Sequence, residues 1–227
     1  ERSASFQYAH LAASRVPSKL TATQLKGRML DAEAAEQSEV RAAAPERSWR
    51  EPAFSRDTPL RGREKGNATH LFMQFARYEV CGEIGTLKAE LDRLQTEKFL
   101  TAQQAEAVEL GQILHLFQSP FGRRILTAQT VQREFKFSIL TDAAAYFPGT
   151  EGEQVLLQGV VDCFWQEADG LVIVDFKTDR ISGDLEGKAG RYAPQVMAYA
   201  KALARIFGAP VKEQVLYFFD CDQAVWL

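Results

Sequence analysis

The sequence contains only three cysteines, Cys81, Cys163 and Cys221, which lie far apart and form no Cys-x-x-Cys pair. This scarcity indicates neither a disulfide framework nor a cysteine-bound zinc ion or iron–sulfur cluster. We therefore expect a protein of the reducing cytoplasm. No apolar run approaches the roughly 20 residues that cross a bilayer, so we expect no membrane-spanning helix.

Other signals are missing as well. A phosphate-binding GxxxxGK[ST] loop is absent, so this chain alone is not expected to hydrolyse ATP. The net charge of -3 argues against a basic surface all round, but it is compatible with a local basic groove. The sequence starts without Met and without the apolar core of a signal peptide, so we expect a piece cut or processed from a longer protein.

The 227 residues that are present suffice for one globular core. Apolar spacing predicts helices at 17–30, from 68 onwards, and at 86–95, 101–117, 120–127 and 193–208, the last with Pro194 in its first turn and Gly208 as its stop. Strands are predicted at 131–140, 154–166, 171–177 and 213–220. Residues 31–66, which are poor in large apolar residues, indicate a linker. This order predicts an α/β layer fold, with a helical and linker segment at 1–66 and a folded domain at 67–227.

The stretch "LVIVDFKTDR" (171–180) begins as a buried strand and ends in charge. A hairpin joins it to the strand before it through "EADG", where Asp169-Gly170 is a turn signal. If all four residues form the loop, Asp162 lies opposite Asp175; if only two turn, it lies opposite Lys177. In both registers these three side chains share one face, because strand side chains alternate. A bulge or a three-residue loop would separate them.

Two facing carboxylates repel each other unless one is protonated or a cation lies between them. A hard cation such as Mg²⁺ suits them, and a neighbouring lysine can offset charge that develops on a phosphate. This combination is typical of phosphodiester hydrolysis. The alternative is a structural Asp–Lys pair on an edge strand, which is the commoner meaning of Asp-x-Lys alone.

Further residues extend the pattern. His70 starts a helix after Gly66 and is either a metal ligand or a structural histidine. Glu134 interrupts an apolar strand, and its alternative reading is an outward-facing residue. Gln195 and Tyr199 share a helix face, which either contacts a nucleic-acid backbone or is ordinary amphipathic surface.

Taken in order, "GNATHLFMQF", "REFKF", "GVVDCFW", "LVIVDFKTD" and "YAPQVMAYA" resemble the RecB-type branch of the PD-(D/E)xK nucleases. Within that branch the chain is most similar to AddA-type domains, the nuclease ends of bacterial helicase–nuclease proteins that act in double-strand-break repair. The similarity extends from Pro17 onwards, with Asn67 where a Thr is usual. It implies a restriction-endonuclease-like core, in which helices flank a central mixed sheet.

The resemblance also implies roles for single residues. The metal ligands would be His70, Asp162, Asp175 and the main-chain carbonyl of Phe176. The catalytic set would be Asp162, Asp175, Lys177, Gln195 and Tyr199, with Lys177 as the catalytic lysine. Glu134 matches an acidic strand position of undefined role. The metal would be Mg²⁺, for which Mn²⁺ can substitute.

The partners implied are single-stranded DNA, a helicase motor on the same full-length polypeptide and an AddB-like partner protein, with no membrane. Basic residues that would line a DNA entrance, or be plain solvated surface, are Arg61, Arg63, Lys65, Arg123, Arg124, Lys188 and Arg191. Two rival functions stay open, a catalytically silent DNA-binding scaffold and a stand-alone endonuclease. The polarity of cutting and the number of metal ions are also open.

Overall fold

The computed structural model describes residue 14, residues 16–27 and residues 62–227. In this part of the chain the strands are β1 Lys19–Thr21, β2 Val131–Asp142, β3 Gln154–Glu167, β4 Gly170–Lys177, β5 Val211–Phe218 and β6 Gln223–Trp226. The α-helices of the same residues are α1 Ala22–Gly27, α2 Arg63–Phe75, α3 Ile84–Thr96, α4 Ala102–Ala107, α5 Leu110–Gln118, α6 Pro120–Thr127 and α7 Leu185–Phe207. The predicted α/β class is confirmed.

The sheet is assembled around β3. One edge of β3 pairs antiparallel with β2 along nearly the full length of both strands. The other edge pairs in parallel with β1 near its start and antiparallel with β4 near its end. Beyond β4, β5 runs parallel to it and β6 returns antiparallel to β5. The result is a mixed sheet, as predicted.

An apolar core covers each face of this sheet. Helices α2 to α6 pack on one face and α1 with α7 on the other. Strand β4 serves both cores, because Val172 and Val174 point to the first and Leu171 and Ile173 to the second. Burial on both faces explains why "LVIV" is an unbroken apolar run.

Several boundaries differ from the prediction. The predicted helix at 17–30 is strand β1 followed by α1, and residues 28–30 lie outside the described residues. The single helix predicted at 101–117 is two helices, because Val108 is buried in an extended conformation between α4 and α5. Strands β1 and β6 were not predicted, since three and four residues are too few to show alternation.

The last helix starts earlier than predicted, at Leu185, so placing Pro194 in its first turn was wrong. Asp184 caps this start by accepting a hydrogen bond from the Gly187 N–H at 2.8 Å. Pro194 lies inside the helix and leaves the carbonyl of Gly190 without its usual donor. Gly190 is exposed, so water can take the place of that donor. Gly208 ends the helix in a left-handed conformation with φ of +63°, as predicted.

The predicted linker at 31–66 lies largely outside the described residues, but its last residues do not. Helix α2 begins at Arg63, so the predicted border between residues 66 and 67 falls inside it. From the predicted N-terminal segment, β1 pairs with β3 and α1 packs against α7. Among the described helices, none has the length and apolar character needed to cross a membrane.

A buried carboxylate joins the helices on the α2 side of the sheet. Glu90 of α3 accepts hydrogen bonds from the main-chain N–H of Arg77 at 2.7 Å and from the guanidinium groups of Arg77 and Arg93. Arg93 also donates to the carbonyl of Phe75 at 3.1 Å, at the end of α2. Burial opposes the charged form of Glu90, but the hydrogen bonds from Arg93 and Arg77 outweigh it and lower its pKa to about 2.

We predict that Glu90→Gln lowers the free energy of unfolding at pH 7 by about 2–4 kcal/mol, because two guanidinium groups lose their shared carboxylate. A depressed pKa contributes stability that is present above the ordinary pKa and is lost as the pH falls towards 2. The gap between variant and wild type should therefore narrow from pH 6 towards pH 3. Urea titrations at several pH values measure it, with Glu106→Gln, an exposed residue of α4, as the control. A gap that widens on acidification would contradict the assignment.

Candidate metal centre and active site

Three acidic residues stand side by side across β2, β3 and β4. The pairs Arg133↔Cys163 and Phe135↔Val161 put Glu134 opposite Asp162. The pair Cys163↔Val174 likewise puts Asp162 opposite Asp175.

This β3–β4 register is the first of the two predicted alternatives. It arises from a turn at Ala168 and Asp169, with Glu167 paired to Gly170.

The regular alternation of side chains is interrupted at this row. In β3, Val161 packs on the α7 side of the sheet and Cys163 on the α2 side, although residues two apart normally share a face. The same switch occurs in β2 on either side of Glu134. Glu134 has φ of +49°, a left-handed conformation that is uncommon for a residue other than glycine. Such conformations cluster at functional sites, where the surrounding structure enforces them.

His70 reaches the row from α2. Its Nδ1 lies 3.6 Å from Oδ2 of Asp162. One ligand atom each of His70, Glu134 and Asp162 lies within 4.8 Å of the others. An imidazole nitrogen with two carboxylate oxygens is a donor set that fits a divalent cation. The structure thus brings together His70 and Asp162, two predicted ligands, and adds Glu134.

Asp175 and Lys177 form an ion pair beside this cluster. Asp175 is 2% exposed, and its Oδ2 accepts no hydrogen bond from the described residues, although the Lys177 ammonium lies against it. The ammonium also lies 3.9 Å from the centroid of the Tyr192 ring. Phe176, between the pair, donates its N–H to Asp162 Oδ2 at 2.8 Å. The part predicted for the Phe176 carbonyl stays a prediction.

The electrostatics of the cluster favour a bound cation. Burial, and then the neighbouring Asp175 carboxylate, raise the pKa of Asp162 well above its usual range. Burial also raises the pKa of Glu134, against the opposing effect of Lys136. Burial lowers the pKa of His70, which favours the neutral imidazole that metal binding requires. A divalent cation would relieve the cost of holding these carboxylates together.

Helix α7 lines the site with one face. Gln195 and Tyr199 are buried there, and the Gln195 amide donates to the Tyr199 hydroxyl at 2.5 Å. Burial and the charge of Asp175 raise the pKa of Tyr199, which keeps the phenol protonated.

The sequence analysis missed Tyr192 and Asp179, which are joined by a hydrogen bond from the Tyr192 hydroxyl. The spacing of Tyr192, Gln195 and Tyr199, three and four residues apart on one helix face, was the available signal.

A groove of about 620 Å³ leads away from Asp162 across the sheet. Helix α7 contributes Gln195 and Tyr199 to its wall. The strands and the start of α1 contribute Thr21, Thr23, Lys136, Phe137, Ser138, Gln158, Gly159 and Val160. Hydroxyl, amide and ammonium groups therefore continue from the acidic cluster along one open path.

The predicted basic entrance is only partly assembled. Arg61 and the side chain of Arg63 lie outside the described residues. Lys65 pairs with Glu109 and Lys188 donates to the carbonyl of Arg180.

Arg124 binds Glu213 at 2.7 Å and Glu167 at 3.0 Å, next to the β3–β4 turn rather than at the acidic row. This ion-pair network accounts for its charge without DNA. Arg123 and Arg191 are exposed.

Comparison with known proteins matches residues 7–225 to the PD-(D/E)XK nuclease superfamily. Among curated proteins, the chain is 32% identical over 226 residues to an ATP-dependent helicase/nuclease protein of Clostridium novyi (strain NT), covering 97% of this chain and 18% of that protein. The protein of the same name from Bacillus mycoides (strain KBAB4) is 37% identical over 185 residues, or 77% of this chain and 15% of the relative. That from Desulforamulus reducens is 33% identical over 228 residues, 99% of this chain and 18% of its own.

The chain therefore spans less than a fifth of the length of these relatives. Among solved structures, the crystal structure of SSO0001 aligns over 73% of this chain and 74% of its own, with a TM-score of 0.34 and 14% identity, which is too low to support an inference. Asp162 with Asp175-x-Lys177 supplies the residue types after which the matched superfamily is named. The chain belongs to the PD-(D/E)XK nuclease superfamily.

Proposed function

We propose that this chain is a metal-dependent deoxyribonuclease that hydrolyses phosphodiester bonds. The observation that carries the proposal is the meeting of His70, Glu134 and Asp162 next to the Asp175–Lys177 pair. Ligands for a cation and a fixed positive charge at one point are what phosphodiester hydrolysis requires. The superfamily match supports the same reaction class.

His70, Glu134 and Asp162 would hold the ion, with Asp175 beside them and the Phe176 carbonyl as a further proposed ligand. Mg²⁺, for which Mn²⁺ can substitute, would activate water and neutralise phosphate charge when bound. The Phe176 N–H fixes the orientation of the Asp162 carboxylate. Gln195 and Tyr199 buttress the α7 side of the site through their own hydrogen bond.

Lys177 supplies the positive charge next to the phosphate. Its contacts with Asp175 and the Tyr192 ring limit the positions that its ammonium can adopt. The pentavalent transition state carries more negative charge on its oxygens than the substrate does. A fixed ammonium therefore stabilises the transition state more than the ground state, which is the condition for faster cleavage.

The groove beside Asp162 would hold the DNA strand. Lys136 offers an ammonium, and Thr21, Ser138 and Gln158 offer hydroxyl and amide donors for phosphate oxygens. We propose single-stranded DNA as the substrate, lying along this groove with one phosphate at the acidic cluster.

We further propose that the full-length polypeptide carries a helicase motor and works with an AddB-like partner protein. In this role the protein would act in double-strand-break repair and recombination in the bacterial cytoplasm. The name shared by the curated relatives, and the small share of their length that this chain spans, support the motor.

We predict that Asp162→Asn reduces cleavage of labelled single-stranded DNA by Mg²⁺ about 100-fold or more, because a neutral amide replaces a ligand. The matched control is Asp169→Asn, an exposed aspartate in the turn of the same hairpin, which should cut like the wild type. Cleavage should stop in EDTA. Wild-type cutting by Asp162→Asn would contradict the proposed site. A wild type that neither cuts nor binds Mg²⁺ in calorimetry would favour the silent scaffold.

For Lys177→Met we predict the opposite pattern for binding and catalysis. Cleavage should fall about 100- to 1,000-fold because the charge at the phosphate is lost. Mg²⁺ affinity should be unchanged or higher, because a cation next to the metal is removed. Isothermal titration calorimetry and single-turnover cleavage separate the two effects, and Lys88→Met, exposed on α3, is the control. Equal loss of Mg²⁺ binding and cleavage would show that Lys177 is not acting as proposed.

Lys136→Gln tests the proposed strand path. We expect weaker binding of single-stranded DNA and a plot of log affinity against log salt that is shallower by about 0.7, the value of one phosphate contact. Fluorescence anisotropy in EDTA measures binding without cleavage, and Lys88→Gln serves as the control. An unchanged salt slope would place the strand elsewhere.

A further inference from the structure

Helix α2 approaches the end of β4 at Gly66. A Cβ on Gly66 would lie 2.5 Å from Oγ1 of Thr178 and 3.5 Å from its Cβ. Contacts of a real Cβ essentially never fall below 3.0 Å. Any residue other than glycine at position 66 therefore requires α2 or Thr178 to move.

Glycine needs a reason at this place. It destabilises a helix relative to alanine, and Gly66 lies within the helical range of α2. Gly66 stands four residues before His70, so both lie on the face that α2 turns towards the strands. Thr178 directly follows Lys177. The contact therefore joins the helix that carries His70 to the chain segment that carries Lys177.

We propose that Gly66 is a positioning residue of the metal centre, whose missing side chain lets α2 lie close enough for His70 to reach the Asp162 cluster. This inference rests on the proposed function, since it assumes that the cluster binds a divalent cation. Gly66 acts through His70 and touches neither metal nor substrate.

The size of the displacement sets the expected effect. Bringing the Cβ of an alanine from 2.5 Å to the ordinary contact limit of 3.4 Å requires a movement of 0.9 Å. Metal–ligand distances tolerate only about 0.2 Å. If α2 moves, His70 leaves the ligand set, and if the strand end moves instead, Lys177 is displaced with Thr178. Both responses disturb the site, whereas the helix itself gains from alanine.

The test measures Mg²⁺ binding by isothermal titration calorimetry and the melting temperature by circular dichroism for four variants of this chain. These are Gly66→Ala, Thr178→Ala, the double variant and Gly111→Ala. Gly111 is a helical glycine of α5 with open space around its Cβ position, so it is the matched control. We expect Gly66→Ala to bind Mg²⁺ about 10-fold more weakly or worse. The double variant should return to the affinity of Thr178→Ala, because the remaining Cβ–Cβ distance of 3.5 Å is an ordinary contact.

A merely structural role would lower the melting temperature without this selective loss and rescue of Mg²⁺ binding. Wild-type affinity in Gly66→Ala overturns the inference and leaves the proposed function intact, and so does a loss that the double variant fails to restore. A wild type that binds no Mg²⁺ overturns both. If Gly66→Ala does not fold, recovery of folding and Mg²⁺ binding in the double variant supports the contact, and its absence overturns it.

Discussion

The alignment of β3 with β4 is the constraint on which the site depends. A shift of one residue would turn every side chain of β4 to the other face, so Asp175 and Lys177 would leave Asp162. Gly170 fixes this alignment at the hairpin, where it has φ of +152° and where a Cβ would lie 2.6 Å from the carbonyl oxygen of Pro210. The contacts of the acidic row are thus set by a glycine at the opposite end of the strand.

The second requirement is a helix held firmly above the row. Arg93 and Arg133 donate to the carbonyls of Phe75 and Ala76 at the end of α2. Arg133 precedes Glu134 in β2, so one strand segment both anchors the helix and supplies an acidic side chain to the site. The two apolar cores stabilise this arrangement against the repulsion between neighbouring carboxylates.

The parts that sequence reasoning predicted are those with a long periodic signal. The alternation of β2 and β3, the charged end of β4 and the shared face of Gln195 and Tyr199 could all be recognised. The left-handed conformation of Glu134 could not, because tertiary contacts impose it on a residue that gives no local sign of it. The contact of Lys177 with Tyr192 was missed for a related reason, since it depends on where α7 crosses the sheet.

The interruption at Glu134 also affects how the molecule meets other molecules. In the described residues β2 pairs only with β3, so its outer side is an open edge of 12 residues. Long, flat and regular edges invite strand pairing between chains, and natural proteins break them with kinks and charges. The left-handed Glu134, followed by the exposed Lys136, breaks this edge near its middle. The backbone distortion that directs a carboxylate into the site thereby protects the sheet from edge-to-edge aggregation.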